Sequence, residues 1–464
     1  MSPFSNIEKS IKDAADRLKD IFLKQGVIRI VTHLDTDGLT SAAILTKILL
    51  ENKQKFWVTV VKQLEESIIG KLKEEASQGK FKALLFLDLG SNKISQINKI
   101  KTPVFIIDHH EVETVFESYS ESENFYFINP LNEKISAAGL CYLFSKELGG
   151  DKNLAQFAIL GMIGDVLDKS ISKSNSFILS DAKQGGMEVK RGLTVFSAMR
   201  PLHKALEFSS SIFIPGVTGN SKGSFEMLRE IGIDVKTSRG WRTMMDLSQE
   251  ELSRLITTIL IRRVNDGRSQ EIIDNIYLIK IAGQIWDARE VSTMLNACGR
   301  LGYGGLALSF LLGSREAREE VENVYSSYKH LLIKALNWIE GAKKIQGGNY
   351  VIVNAKTNIK DTIIGTAMSI LSSSFIYPKG TILIGMAYRQ DDKIKISARI
   401  VRDRSRKEVD VNLNRLLGSV VNAVGGEVGG HANAAGALIS KDKEKIFLEL
   451  IEKELSTHEL SIKI

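Results

Sequence analysis

Aspartates and histidines recur in this chain at places where apolar runs end. His33-Leu34-Asp35-Thr36-Asp37-Gly38 directly follows Val27 to Val31, and Asp88 follows Ala83 to Leu87. Asp108-His109-His110 directly follows Val104 to Ile107, and Gly164-Asp165 closes a later apolar stretch. The first three apolar runs read as buried strands, so those clusters sit where strands leave a sheet, while Gly164-Asp165 ends a helix expected from Asn153 to Ile163. In open α/β sheets ligands bind at that carboxyl rim. Carboxylates and imidazoles converging there are best explained as metal ligands, and they suit Mn²⁺ or Mg²⁺ better than a thiolate-rich structural zinc. There are more such groups than one ion needs, so a binuclear site with a shared carboxylate is the economical reading. Two-metal sites of that kind serve in-line phosphoryl displacement. Asp35 and Asp37 are expected in one loop, pointing the same way by alternation, with Gly38 allowing a sharp turn after them.

Elements of regular period must hold these groups. Residues 7 to 24 have the spacing of an amphipathic helix. Strands are expected at 27–32, 56–61, 83–87, 104–107 and 125–128, separated by helical patterns. Thr40 or Ser41 is expected to cap the helix after the first strand, and Ser136 to open another. Short apolar runs alternating with helices imply a mostly parallel sheet covered on both faces. From about 170 to 310 helical segments dominate, and 315–339 reads as one long connecting helix. After Gly347-Gly348 a smaller α/β unit begins, with strands at 350–354, 381–388 and 393–400, a helix at 413–424, a glycine-rich loop, a strand near Ala437 and a last helix. The fold class expected is therefore α/β, divided as 1–184, a mainly helical insert or extension at 185–312, a connector at 313–342 and a C-terminal unit at 343–464.

Composition limits the alternatives. The 464 residues are 43% hydrophobic and 25% charged, which is ordinary for a soluble globular protein of more than one domain. The longest apolar runs are too short to span a bilayer, and the amino-terminal segment lacks the apolar core of a signal peptide, so a cytoplasmic protein without membrane partners is expected. Cys141 and Cys298 lie in apolar helical settings and are expected to be buried free thiols. The net charge of +7 permits a polyanionic substrate without requiring one.

Taken in order, the clusters at His33–Gly38, Asp88, Asp108–His110 and Gly164-Asp165 resemble the four motifs of the DHH phosphoesterase superfamily. Ser136-Ala-Ala-Gly-Leu140 matches the small-residue helix start between its third and fourth motifs. Gly429-Gly430-His431-Ala432-Asn433-Ala434-Ala435-Gly436 resembles the signature of the associated C-terminal DHHA1 domain. Length and insert look most like archaeal RecJ-like nucleases. Ile214-Pro-Gly-Val-Thr218-Gly219, Asp287-Ala-Arg289-Glu290 and Leu295-Asn-Ala-Cys-Gly299-Arg300 resemble the type that associates with the GINS replication complex. The resemblance implies two Mn²⁺ or Mg²⁺ ions, one held by His33, Asp35 and Asp88, the other by Asp37, Asp88, His109 and Asp165. It implies that His110 faces the scissile phosphate and that Asp108 orients the imidazoles. Asp168 reads as a helix-end acid, with a supporting role at the metal site as the alternative.

A second set of residues could grip an anion. Gly429 and Gly430 allow close backbone approach, and the resemblance places them with His431 against the substrate. Lys393, Lys395, Arg399, Arg402, Arg404, Arg406 and Lys407 form a basic strand and loop, with Arg399 expected to lead toward the cleft. Arg289 and Arg300 are candidate anion contacts from the insert, each equally able to hold an internal carboxylate. The function this implies is metal-dependent exonuclease action on single-stranded DNA or RNA in replication or repair, with the C-terminal domain closing over the strand. Two alternatives are a phosphoesterase of oligoribonucleotides or nucleotide bisphosphates, and a replisome structural subunit bridging GINS and the replicative helicase.

Overall fold

The computed structural model describes residues 7–112, 124–131, 133–169, 171–194, 197–209, 214–238, 240–262, 272–373, 376–401 and 411–462. The chain forms two compact units, Met1–Tyr325 and Ser326–Ile464.

The first unit opens with helix α1 (Glu8–Phe22) and a sheet of five parallel strands: β1 (Val27–His33), β2 (Lys55–Val61), β3 (Ala83–Leu87), β4 (Val104–Ile107) and β5 (Phe125–Ile128). Their order is β2-β1-β3-β4-β5, and every pairing is parallel. The expected strands thus appear nearly residue for residue, because five short apolar runs flanked by polar residues have no other way to bury both faces. One face packs Val31, Leu84, Phe86, Val104 and Ile106 against α3 (Glu66–Ser77) and α4 (Ile94–Ile97). The other face carries α1, α2 (Thr36–Glu51), α5 (Ala137–Glu147) and α6 (Ala155–Gly164). Helix α2 is buried on nearly all sides, with only Lys47, Leu50 and Glu51 reaching solvent. It is therefore an inner helix, as an apolar helix without a polar face must be.

The start of α2 differs from expectation. The helix begins at Thr36, four residues before the expected caps, and Asp35 itself is the N-cap, its carboxylate accepting from the Gly38 N–H at 3.1 Å. Asp37 consequently lies in the first helical turn and not in a loop. Gly38 does not turn the chain; a Cβ there would stand 2.4 Å from the His33 carbonyl oxygen.

Beyond α7 (Lys173–Gln184) the expected helical dominance gives way to a mixed module. β6 (Glu188–Leu193), β9 (Ile273–Ile281) and β10 (Gln284–Asp287) make an antiparallel sheet of order β10-β9-β6, while β7 (Lys236–Thr237) and β8 (Gly240–Trp241) form a small hairpin. Helices α8 (Leu202–Glu207), α9 (Ser221–Glu230) and α10 (Gln249–Arg262) pack with these strands around Leu206, Met227, Leu255, Ile259 and Ile276. The sheet escapes a local reading because β6 pairs with a strand some eighty positions away. Helices α11 (Ala288–Leu301) and α12 (Gly304–Leu311) return to the parallel-sheet core, and α13 (Arg315–Gly341) crosses the boundary between the units.

The second unit is a six-stranded sheet of order β11-β12-β13-β14-β16-β15, built from β11 (Ile345–Gln346), β12 (Tyr350–Asn354), β13 (Ile382–Tyr388), β14 (Lys393–Ile400), β15 (Gly426–His431) and β16 (Ala434–Ser440). Only β12 and β13 pair in parallel. α15 (Leu413–Val424) and α16 (Glu444–Ile462) cover one face, and α14 (Asp361–Ser373) packs on β13 and β14. The expected glycine-rich loop is a correction: Gly426–His431 is an edge strand paired with β16. Small residues read as a loop in sequence, but here they let two strands join through a tight turn.

Candidate metal centre

The acidic and imidazole groups gather at the carboxyl ends of β1, β3 and β4. β1 lies between β2 and β3, so successive crossovers leave it in opposite directions and open a crevice at that rim. His33 is the last residue of β1, Asp35 caps α2, and Asp37 sits in its first turn. Asp88 follows β3, Asp108 to His110 follow β4, and Asp165 caps the end of α6.

Three triads share a small volume. His33 Nδ1 is 2.9 Å from Asp35 Oδ2 and 3.3 Å from Asp88 Oδ2. His109 Nε2 is 3.1 Å from Asp165 Oδ2, 3.5 Å from Asp88 Oδ1 and 3.8 Å from Asp37 Oδ2. The sets His33–Asp35–Asp88, Asp37–His109–Asp165 and Asp88–His109–His110 each bring one ligand atom per residue within 4.8 Å of the others. Asp88 thus turns one oxygen toward His33 and the other toward His109.

These close approaches are not hydrogen bonds. His33 Nδ1, both Asp88 oxygens and Asp165 Oδ2 are buried and lack any hydrogen-bond partner despite their proximity. Unpaired buried polar atoms cost free energy, and four in one spot, all carboxylate or imidazole, fit atoms placed to ligate cations. The donor set fits Mn²⁺ or Mg²⁺.

Burial and close neighbouring charges set the electrostatics of the cluster. Burial, then the charges of Asp165 and Asp88, push the Asp37 pKa well above the usual carboxylate range. Burial and the neighbouring Asp35 raise that of Asp88. Burial works against charge on His33 and His109, but the surrounding carboxylates outweigh it, and His109 is pushed up to about 12. Asp37 is also fixed mechanically: its Oδ2 accepts from the Ala137 N–H at 2.7 Å and its Oδ1 from the Ala138 N–H at 2.9 Å, at the start of α5. A helix N-terminus is a natural seat for an anion.

Asp108 is buried and fully engaged. Its Oδ1 meets His110 Nδ1 at 2.7 Å and accepts from the His109 N–H at 2.8 Å, while Oδ2 accepts from Ser91 N–H at 2.9 Å. It therefore orients one imidazole, that of His110, and supports His109 only through the main chain. Burial opposes ionisation of Asp108, but these bonds outweigh it and hold its pKa below the usual range. His110, partly exposed, has its pKa raised for the matching reason. Backbone conformation marks the same place: Asp88 has φ +60° and Val166, directly after Asp165, has φ +59°. For a β-branched residue the left-handed region is a true outlier, and such strain clusters at functional sites.

Some residues around the site escaped the sequence reading. Asn129, just after β5, donates to the His110 carbonyl and to Ser91 Oγ, both at 3.0 Å. Its position past a strand end was the available signal. Thr36, between two of the acids, bonds to Ser292 and Asn296 on α11, a link no local pattern could reveal.

Other candidates fall differently. Asp168 is buried, and Arg289 Nη2 lies 3.4 Å from it and 3.8 Å from Asp274, so Arg289 holds internal carboxylates. Arg300 is on the last turn of α11 and partly exposed. In the second unit Lys393, Lys395 and Arg399 alternate along β14 on one face. The Arg399 guanidinium donates to Ser369 Oγ at 2.8 Å and to the Ala398 carbonyl at 2.7 Å. Gly429 and Gly430 lie on β15, with Gly430 at φ +119°. The His431 side chain and residues Arg402, Arg404, Arg406 and Lys407 lie outside the described residues. Cys141 and Cys298 are buried free thiols, as expected. No helix among the described residues is long and apolar enough to cross a membrane.

Comparison with known proteins agrees with this arrangement. Residues 27–162 match the DHH family N-terminal domain, 197–277 the DHH-CID domain and 347–457 the DHHA1 domain. An uncharacterized protein of Methanocaldococcus jannaschii is 29% identical over 98% of both chains. A Bacillus subtilis prophage protein, named as a candidate single-strand DNA-specific exonuclease, is 27% identical over 45% of this chain and 35% of its own length. RecJ of Thermus thermophilus, solved in complex with Mn²⁺, superimposes with a TM-score of 0.59 at 16% identity, covering 97% of this chain and 55% of that one. CDC45 of Entamoeba histolytica superimposes with a TM-score of 0.66 at 12% identity, over 97% of this chain and 99% of that one. At those identities the two structures speak for the fold alone.

Proposed function

Because this chain belongs to the DHH superfamily, with DHH, DHH-CID and DHHA1 domains in order, we propose that it is a metal-dependent exonuclease acting on single-stranded nucleic acid in DNA replication or repair. The observation that carries the reading is the pair of triads sharing Asp88, with four buried ligand atoms that no hydrogen bond satisfies. A phosphoesterase fold and a prophage relative named for single-strand DNA support a hydrolase of that kind.

His33, Asp35 and Asp88 would hold one Mn²⁺ or Mg²⁺, and Asp37, Asp88, His109 and Asp165 a second. When bound, such ions supply Lewis-acid stabilisation of the charge that develops on a phosphodiester during in-line displacement. The chain's own groups do the rest. Asp108 fixes His110 through Nδ1, which leaves Nε2 as the ring's remaining donor to a non-bridging phosphate oxygen. Burial opposes charge on His110, but the Asp108 carboxylate outweighs it and raises its pKa, which favours the protonated, donating form. In the second unit Arg399, Gly429, Gly430 and His431 would grip the strand, as would Arg300 from α11.

The test is degradation of end-labelled single-stranded DNA and RNA in Mn²⁺, with EDTA and Asp37→Ala as controls. Stepwise shortening abolished by both controls is expected. Intact substrate with metal-loaded wild-type protein would overturn the reading and leave a small-substrate phosphoesterase.

A second reading is favoured by a specific observation, the DHH-CID module with its own core. A module of this size can dock a partner, and GINS with the replicative helicase is the partner set proposed. Capture of GINS that persists in an Asp35→Ala, Asp37→Ala double variant is expected if bridging is independent of catalysis. No capture by wild type would remove this role.

A further inference from the structure

Thr36 stands between Asp35 and Asp37, and α11 grips it at two atoms. Its N–H donates to Asn296 Oδ1 at 3.0 Å. Its hydroxyl donates to the Ser292 carbonyl at 2.8 Å and lies 3.1 Å from Ser292 Oγ. One turn further along α11, a Cβ on Gly299 would stand 1.8 Å from the Leu34 carbonyl oxygen, so helix backbone lies directly against residue 34. Ser292, Asn296 and Gly299 fall at helical spacing on one face, which is laid along the segment Leu34–Thr36.

The first turn of a helix leaves four N–H groups without intrahelical partners. At α2 the Gly38 N–H is taken by Asp35, and the Thr36 N–H is taken by Asn296. Asn296 thus completes the capping of the very turn that carries both acids. The opposite end of α11 is fastened to the segment that opens the DHH-CID domain. Asp287 Oδ2 accepts from the Ala198 N–H at 3.0 Å, and buried Glu290 accepts from Ser197 Oγ at 2.5 Å and Arg200 Nε at 2.6 Å.

We propose that Asn296 is a positioning residue for the metal ligands, setting Asp35 and Asp37 through the Thr36 N–H, and that α11 thereby links metal affinity to the DHH-CID segment. The inference rests on the metal-dependent reading above. Removing a group that orients ligands costs about 10–100-fold in metal affinity. Ser292 is the internal control, because Thr36 donates to its main-chain carbonyl, which Ser292→Ala retains.

The experiment is titration of the full chain with Mn²⁺ by calorimetry and by loss of the free-ion electron paramagnetic resonance signal, each variant held well below its melting temperature. Asn296→Ala should bind Mn²⁺ about 10-fold more weakly or worse, Asn296→Asp, which keeps an acceptor for the N–H, should restore affinity, and Ser292→Ala should stay near wild type. Should Asn296→Ala not fold, Asn296→Leu, which fills the same space without offering an acceptor to the Thr36 N–H, tests the same bond and should weaken binding about 10-fold. Wild-type affinity in folded Asn296→Ala or Asn296→Leu, or no rescue by Asn296→Asp, overturns the inference. Absence of Mn²⁺ binding by wild type would instead sink the metal-dependent reading beneath it.

Discussion

Gly161→Ala should damage the candidate metal centre without replacing any of its ligands. Gly161 lies in α6, where a Cβ would stand 2.3 Å from Asp37 Oδ1, 2.6 Å from the Ala138 Cβ and 3.0 Å from Thr40 Oγ1. Favourable carbon contacts lie at roughly 3.5–4.0 Å, so the methyl group needs about 1 Å that the interior does not have. Overpacking of this kind costs about 1–3 kcal/mol. Pushing Asp37 aside breaks its 2.9 Å bond to the Ala138 N–H, and a buried donor left unpaired costs about 1–3 kcal/mol more. Alanine's better helix propensity returns about 1 kcal/mol. The net is about 3 kcal/mol destabilising, or a melting temperature lower by about 5 °C in a unit of this size. Gly70→Ala is the matched control: it is also helical and exposed, nothing lies within 4 Å of its Cβ, and it should gain up to about 1 kcal/mol. Calorimetric melting with EDTA and then with Mn²⁺ separates the two effects. Gly161→Ala should melt lower in EDTA and recover less with Mn²⁺ than wild type. If it melts like Gly70→Ala and responds fully to Mn²⁺, the packing of Asp37 against α6 does not matter as argued.

Three further outcomes are expected. Asp37→Asn should turn an amide NH₂ toward one of the Ala137 and Ala138 donors and lose its charge, so the Mn²⁺-dependent rise in melting temperature, worth about 2.7 kcal/mol at 100 times Kd in wild type, should largely vanish; an unchanged rise would count against Asp37 as a ligand. With its pKa pushed up to about 12, the His109 imidazole holds a second ring proton at neutral pH. Metal needs the deprotonated groups, so binding should release about one proton or more at pH 7 and weaken as pH falls. Calorimetry in buffers of different ionisation enthalpy measures this directly, and proton uptake would contradict the assignment. Val166→Asn should relax the left-handed backbone after Asp165, at a position 65% exposed, and raise the melting temperature by about 1 kcal/mol equivalent; a lower melting temperature would show that the valine side chain is needed where it is.

The rim acids and imidazoles were readable from sequence because strand ends are local events. An apolar run followed by Asp or His marks a rim position, and five such runs imply one sheet. Three things were not local. The cap of α2 was misplaced because Asp35 serves both as cap and as candidate ligand, and only the former role sets the helix start. The β6–β9–β10 sheet depends on pairing across the insert, which no window of ten residues contains. Arg289 was ambiguous in sequence and is settled by two carboxylates, Asp168 and Asp274, that come from distant segments. Glycines were equally ambiguous: those before His431 form a strand, and Gly38 serves close packing rather than a turn.

The bond from Thr36 to Asn296 spans 260 positions, and that distance has a meaning in time. At about 5–20 residues per second of synthesis, roughly 10–50 seconds separate the two partners' appearance. The strands and inner helices that carry the acids are made long before α11, so the growing chain has its acids early and its clamp late. Closing such a long loop is also among the slower steps of folding. A nascent chain therefore completes the clamp on its rim acids only after its insert has been made.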